Sequence, residues 1–337
     1  TRHIVPGWVC KPVFRVIYEL LFLPIALRRW QVECFLAMNQ VFSPLIWCPT
    51  LVLVQNLLFY HFRDLYGSSR LGLKDRCNLE LRNIYFSFLN GISNRRATRV
   101  IAVSEVVKGE IVRRDGISPT KVSVIPLAVS TTFDSPKSDD GENIPISGPF
   151  FLYVGAWEPY KNIDKAILAL ARLREREHCN DVRMVIIGLD VHNYGKDLRA
   201  CAQESRINNA VHFIGPTPHS ELGVWYRHSK ALIQLSACEA FPLTPFEAMA
   251  NGTPVIGSVD GAVAEIVGEG GLLVDSSDID EIAATMHRIL IDERFALEQI
   301  ARGYRRVGQY TWTRTANQIS SLLRTVIKPI ATRKVPT

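Results

Sequence analysis

Residues 235–275 read LSACEAFPLTPFEAMANGTPVIGSVDGAVAEIVGEGGLLVD. A buried strand ends at Ser236, and a loop carrying Glu239 follows. Thr244-Pro245-Phe246-Glu247 then opens a short helix, which Gly252 stops. Thr244 suits the N-cap, Pro245 the first helical position, and Glu247 the acidic position of a capping box. The next apolar run, Pro254–Ser258, reads as another strand. Short apolar strands joined through helices make βαβ units and a parallel sheet covered on both faces. Loops at the carboxyl ends of such strands bind ligands, and a helix N-terminus there attracts anions. Location alone therefore predicts an anionic ligand near Glu239 and Thr244, and a purely structural loop competes on even terms.

The same alternation extends upstream and downstream. Strands are expected at Phe150–Gly155, Val182–Gly188, Ala210–Gly215 and Ala231–Ser236. Between them lies a helix from Asn162 to Glu177, with Ile163, Ile167, Leu170 and Leu173 at helical spacing. Further helices are expected at Tyr194–Ser205, Ser220–His228, Asp278–Asp292, Arg294–Gly308 and Thr313–Ile327. In the first half, Leu51–Gln55, Val100–Val103 and Val122–Ile125 read as strands and Lys74–Ala97 as a helix. Ser104 caps a helix that runs to about Arg114 and stops at Gly116. Pro136–Pro149, rich in proline, glycine and acids, reads as a linker.

Composition sets the outer bounds. The chain has 337 residues, 47% hydrophobic and 21% charged. That suits two globular domains and excludes a disordered chain or a small disulfide scaffold. Residues 1–147 hold 18 Lys+Arg and 12 Asp+Glu, and residues 148–337 hold 21 of each. The whole surplus of +6 thus sits in the first part, which marks it for an anionic partner. Seven scattered cysteines, without C-x-x-C pairs or zinc spacing, read as reduced thiols in a cytoplasmic protein. The apolar stretch Val13–Trp30 is too interrupted to span a bilayer. It reads as a buried helix, with a helix lying on a membrane as the alternative.

A second candidate stretch is VGAWEPYKN, residues 154–162. Lys161 falls at or just before a helix N-terminus, where a cation opposes the helix dipole. A solvated surface lysine is the ordinary explanation. A bound phosphate is the functional one, because lysine meets phosphate as a compact point charge. Asp278-Ile279-Asp280 spells a D-x-D, but it opens a helix, and acids favouring the dipole account for it. No Walker A loop, nucleophile elbow or nucleic-acid motif is present.

Taken together, these stretches resemble the retaining, nucleotide-sugar-dependent glycosyltransferases of family 4, which have the GT-B fold. Glu239 and Glu247 match the family's two glutamates, the EAMANGTPVIGS run matches their context, and VGAWEPYKN is similar to the phosphate-binding stretch. The segment ATRVIAVSEVVKGEIVRRDGISPTKVSVIPLAV resembles the family's approach to its interdomain linker. The likeness covers most of residues 97–312. It implies two Rossmann-like domains with parallel sheets facing a cleft. Residues 1–147 would form an acceptor-side domain, incomplete at its start, with a linker at about 136–149. Residues 148–312 would form the nucleotide-sugar-binding domain, and a helix at 313–330 would cross back to the first.

The resemblance also implies roles. Glu247 would hold the donor ribose hydroxyls and Glu239 the donor sugar. Gly155 and the backbone of Phe241, Pro242, Leu243 and Thr244 would approach sugar and diphosphate, and Lys161 would neutralise the leaving diphosphate. The donor would be a UDP- or GDP-sugar, with no metal and no further cofactor. The acceptor would be a polysaccharide or lipid-linked glycan, with peripheral membrane contact through the basic N-terminal half and no nucleic acid. The place of action would be the cytoplasm, at the inner membrane face. The chain departs from the family pattern at Ala156, where arginine is usual, and at Ala240 and Pro242, which replace glycines. The first glycines, Gly7 and Gly67, lie far apart, so the glycine-rich opening unit is missing or divergent. His61 is the candidate for a donor-side histidine, against an ordinary loop histidine. Two alternatives stay open: a donor-binding fragment that cannot turn over, and another GT-B enzyme such as an epimerase.

Overall fold

The computed structural model describes residue 14 and residues 17–66, 73–129 and 144–327. By internal packing the chain divides into two compact units. The first takes the described residues up to Tyr60, Asn78–Pro126, and those from Thr313 onward; the second takes those of His61–Cys77 and Leu127–Trp312. Most of the expected linker lies outside the described residues.

The first unit holds a four-stranded parallel sheet of β1 (Phe35–Ala37), β2 (Thr50–Val54), β3 (Arg99–Ala102) and β4 (Val122–Val124), in that spatial order. β2 is buried at every position, as its unbroken apolar run requires. Before the sheet, Tyr18–Phe22 forms a π-helical turn leading into α1 (Leu23–Arg29). This segment corrects the buried-helix expectation. Only Pro24 and Leu27 are buried in α1, whereas Leu21, Phe22 and Ile25 are at least half exposed. α2 (Leu58–Tyr66) follows β2, and α3 (Leu73–Arg96) precedes β3. α4 (Glu105–Asp115) begins as its sequence dictates. Ser104 accepts a hydrogen bond from the Val107 amide, and Gly116 takes the left-handed conformation, φ 62°, that ends the helix.

The second unit is built on six parallel strands: β5 (Phe150–Val154), β6 (Arg183–Ile187), β7 (Val211–Ile214), β8 (Leu232–Gln234), β9 (Val255–Ser258) and β10 (Leu272–Val274). Their spatial order is β10-β9-β8-β5-β6-β7. The chain runs outward from β5 through β6 to β7, then returns to β8 on the other side of β5. That is a doubly wound sheet, and its reversal lies between β5 and β8.

The connecting helices are α5 (Ile163–Arg174), α6 (Gly195–Glu204), α7 (His219–His228), α8 (Thr244–Ala250) and α9 (Gly261–Val267), followed by α10 (Ile279–Ile291), α11 (Glu293–Val307) and α12 (Trp312–Val326). α5 buries Ile163, Ile167, Leu170 and Leu173 completely. Each contributes about 1.5–3 kcal/mol by leaving water. Sequence periodicity did not reveal β1, α9 or β10. Asp278 caps α10, accepting from the Glu281 amide, and Asp280 pairs with Arg172. In α12, Thr315 Oγ1 donates to the Pro126 carbonyl at 2.8 Å.

The carboxyl ends of β5 and β6 come together at two glycines. Gly155 and Gly188 both have φ 149°, and a Cβ on Gly188 would lie 1.8 Å from the Gly155 carbonyl oxygen. Gly215, which follows β7, has open space around its Cβ position. Gly188→Ala is therefore expected to destabilise the second unit by about 2 kcal/mol or more, and Gly215→Ala to leave it unchanged. Thermal unfolding of both variants checks this; equal melting temperatures would remove the close approach as a requirement.

Candidate functional site

The site grows from the loops after β5 and β8, the two strands that flank the reversal of the sheet. After Val154 the chain passes Gly155 and Ala156 to Trp157, which forms a parallel bridge with Asp190. Pro159–Lys161 makes one 3-10 turn, and Asn162 follows in the left-handed conformation, φ 54°. Asparagine tolerates that conformation better than most residues. Its side chain does not cap α5. Instead Nδ2 donates to the Leu235 carbonyl at 2.8 Å, and the Ala237 amide donates to the Tyr160 carbonyl at 2.9 Å. These two bonds latch the β5 loop onto the β8 loop.

The latch sets Lys161 against Glu239. Lys161 Nζ donates to Glu239 Oε1 in a direct ion pair. The side chains are 13% and 16% exposed, so each charge is largely withdrawn from water and depends on the other. Nζ also lies 5.0 Å from the centroid of the Tyr160 ring. The lysine charge at the start of α5 is thus balanced by Glu239, a solution that local sequence does not show. Below the pair, Tyr153 is buried and its hydroxyl donates to the Ala156 carbonyl at 2.8 Å. Burial, with the nearby Glu239 and Glu158 charges, pushes its pKa well above the usual phenol value, so it remains a donor.

Glu239 has a second partner. Gln234, the last residue of β8, donates from Nε2 to Ser236 Oγ at 2.7 Å and to Glu239 Oε1 at 3.3 Å. Gln234 Oε1 accepts from Thr244 Oγ1 at 3.0 Å. This corrects the expectation for the start of α8. The N-cap is Leu243, with no side-chain cap, and Thr244 is already helical. The threonine hydroxyl turns to a buried amide instead of its own helix.

The capping-box expectation for Glu247 is corrected as well. Its carboxylate does not fold back to the helix start. Oε2 accepts from the Tyr226 hydroxyl on α7 at 2.7 Å, and Oε1 lies 4.0 Å from His219 Nδ1. Tyr226 is fully buried. Burial first, and the Glu247 charge second, push its pKa well up, which keeps the proton on the phenol. Glu247 itself is 7% exposed.

The remaining expected residues fall as follows. Phe241 is buried and packs edge-on against Phe246 and Tyr310, with centroids 5.6 and 6.3 Å away. Its ring is core, so only its backbone is free for a ligand. Pro242 is buried, Leu243 is exposed, and Gly155 ends β5 beside Tyr153. The structure joins Lys161, Glu239 and Thr244 in one network through Gln234, and Glu247 sits one helical turn beyond Thr244. His61 lies in α2 and not in a loop. Sequence reasoning missed Gln234, Tyr226 and Asn162. A polar residue inside the apolar run ALIQL was a usable signal for Gln234; a buried tyrosine on a helix looks like ordinary core.

A different concavity, of about 380 Å³, lies in the first unit between Tyr60, Phe88, Arg95, Arg114 and Asp115. Its polar groups are mutually engaged. The Asp115 carboxylate accepts from Tyr60 and Asn94, Arg95 donates to the Asp115 carbonyl, and Arg114 pairs with Glu110. The chemistry of that groove is internal.

Comparison with known proteins agrees with the geometry. Residues 134–306 match the family model of glycosyl transferases group 1, and residues 2–133 match that of glycosyltransferase family 4. Among curated relatives, a D-inositol 3-phosphate glycosyltransferase of Corynebacterium efficiens is 29% identical over 63% of this chain and 53% of its own length. The O-antigen chain mannosyltransferase RfbU of Salmonella typhimurium is 30% identical over 59% of this chain and 52% of its own. The chain spans about half the length of the curated relatives it matches. Among solved structures, Anabaena HepE in complex with UDP and glucose superposes with a TM-score of 0.71 at 17% identity, covering 89% of this chain and 80% of that one. Sucrose-phosphate synthase of Thermosynechococcus elongatus gives 0.72 at 22% identity, covering 96% and 80%. With its two parallel sheets, the chain belongs to the group 1, family 4 glycosyltransferases of GT-B fold.

Proposed function

We propose that this chain is a retaining glycosyltransferase that moves a hexose from a UDP- or GDP-sugar to a polysaccharide or lipid-linked glycan. The observation that carries the reading is the Lys161–Glu239 pair at the reversal of the second sheet. A cation paired with a carboxylate is suited to exchange that partner for a diphosphate. Lys161 then opposes the charge that grows on the leaving group, which stabilises the transition state more than the ground state. Glu239, released from the lysine, accepts from donor-sugar hydroxyls, and Glu247 accepts from ribose hydroxyls through Oε1. The bond between sugar carbon and diphosphate oxygen breaks as the acceptor oxygen attacks from the same face, and the acceptor proton passes to the leaving phosphate. Lysine and backbone amides supply the positive charge, so the scheme uses no metal. The UDP seen with HepE supports a nucleotide donor.

The place of action in this reading is the cytoplasmic face of a membrane. Among the described residues no helix is long and apolar enough to cross a bilayer. The first unit does expose apolar rows. Leu81, Ile84, Tyr85 and Phe88 form one stripe of α3, and Leu21, Phe22 and Ile25 lie ahead of Arg28 and Arg29. Apolar residues bordered by arginines and interfacial aromatics suit an anionic lipid surface.

Four outcomes are expected. In a thermal-shift screen, UDP or GDP and one of its sugar conjugates raise the melting temperature; no rise with any nucleotide sinks the reading, and a rise without sugar transfer to any glycan leaves a donor-binding module. Glu247→Ala weakens donor binding by about 1–3 kcal/mol by calorimetry, since it leaves hydroxyls unpaired; full affinity with lowered stability makes Glu247 a support for Tyr226 only. Lys161→Ala lowers turnover more than donor affinity, and unchanged kcat at saturating donor removes it from the mechanism. For the membrane contact, co-sedimentation with phosphatidylglycerol vesicles falls in the Leu21→Ser/Ile25→Ser variant, and retention of full binding excludes that surface.

A further inference from the structure

Gln234 ends β8 with its side chain 2% exposed, after Leu232 and Ile233, which are buried and apolar. A buried primary amide costs free energy unless its donors and acceptor are used. Here both kinds are used. Nε2 donates to Ser236 and Glu239, and Oε1 accepts from Thr244. The amide has one workable orientation, because turning it over would set its oxygen against the acceptor-only Glu239 carboxylate, whereas the Ser236 and Thr244 hydroxyls can donate or accept. Glu239 thus sets the sense of the amide, Thr244 anchors its oxygen end, and Gln234 in turn holds Glu239.

Both donors to Glu239, Lys161 Nζ and Gln234 Nε2, fall on the same oxygen, Oε1. Oε2 takes neither bond. The two donors differ in what a ligand does to them. An arriving diphosphate competes far more strongly for the charged Lys161 than for a neutral amide. Once the lysine turns to phosphate, the amide is the donor that stays.

We propose that Gln234 is a positioning residue: it holds Glu239 in place while Lys161 is drawn to the donor diphosphate, and through Thr244 it ties that carboxylate to the first turn of α8. This rests on the nucleotide-sugar reading above. The arrangement separates two tasks. Lys161 is free to move with the leaving group, and Glu239 keeps its aim on the sugar.

The test uses the whole chain with the donor identified by thermal shift. In Gln234→Met, a substitution of similar length that removes the amide, donor dissociation constants stay within about threefold, because Lys161 and Glu247 remain, while kcat at saturating donor falls about ten- to a hundredfold from the misplaced carboxylate. Thr244→Val, which keeps Gln234 but removes its anchoring hydroxyl, lowers kcat in the same direction. The double variant is no worse than Gln234→Met alone, as a single relay requires. In a Glu239→Gln background, Gln234→Met adds no further loss. Wild-type kcat in Gln234→Met overturns the proposal. So does a parallel fall in donor affinity, kcat and melting temperature, which marks a packing role. If Gln234→Met does not fold, Thr244→Val and its pairing with Glu239→Gln decide alone: additive losses overturn the relay. A wild-type protein that binds no nucleotide sugar overturns the parent reading and this one with it, whereas an active wild type with an indifferent Gln234→Met overturns only this one.

Discussion

The ammonium of Lys161 and the carboxylate of Glu239 are 78 positions apart in the chain and meet only because β5 and β8 are neighbours. Each belongs to a strand whose own crossover leads away from the other, so their carboxyl ends leave a crevice with no chain between them. Two backbone-directed bonds close the sides of that crevice, from Asn162 to the Leu235 carbonyl and from the Ala237 amide to the Tyr160 carbonyl. With the loops fixed, the two charges lie together where both are largely withdrawn from water. Pairing is then the cheapest state for both. A site built this way is held ready by the fold and is sensitive to any anion that competes for the lysine.

Neutral hydrogen bonds surround this charged pair. Gln234, Thr244 and Ser236 hold the carboxylate side, and Tyr226 holds Glu247. Tyr226 is itself pinned, since its carbonyl accepts from both Ser229 and Thr253 hydroxyls. Aromatic packing of Phe241, Phe246 and Tyr310 supports the loop between the two glutamates. That support replaces conformational freedom at positions where Ala240 and Pro242 stand. The loop is shaped by what lies beneath it.

The first unit follows a different logic. Along α3, Asn83, Asn90, Ser93 and Asn94 face inward, while Leu81, Ile84, Tyr85 and Phe88 face out. At 100° per residue these sets lie on opposite sides of the helix. The amide of Asn90 has no hydrogen-bond partner among the described residues. An apolar stripe on the outside costs solvation free energy until something covers it.

The strand–helix alternation of residues 150–307 was legible because buried parallel strands must be apolar throughout and their helices must repeat apolar residues every three or four positions. Glu239, Glu247 and Lys161 were singled out by the resemblance of their surrounding stretches to the family. β1 and β10 were missed, whereas the equally short β4 and β8 were seen because each lies in a longer apolar run, Val122–Ile125 and Ala231–Ser236; α9 is only seven residues long. The capping assignments of Thr244 and Glu247 were correct as local chemistry and were overruled by long-range partners, Gln234 and Tyr226. Local sequence thus determined most of the strands, where α4 and α10 begin, and which groups carry charge. Tertiary structure alone decided whom those groups face, because hydrogen bonds and ion pairs depend on distance in space, and the winding of the sheet sets that distance.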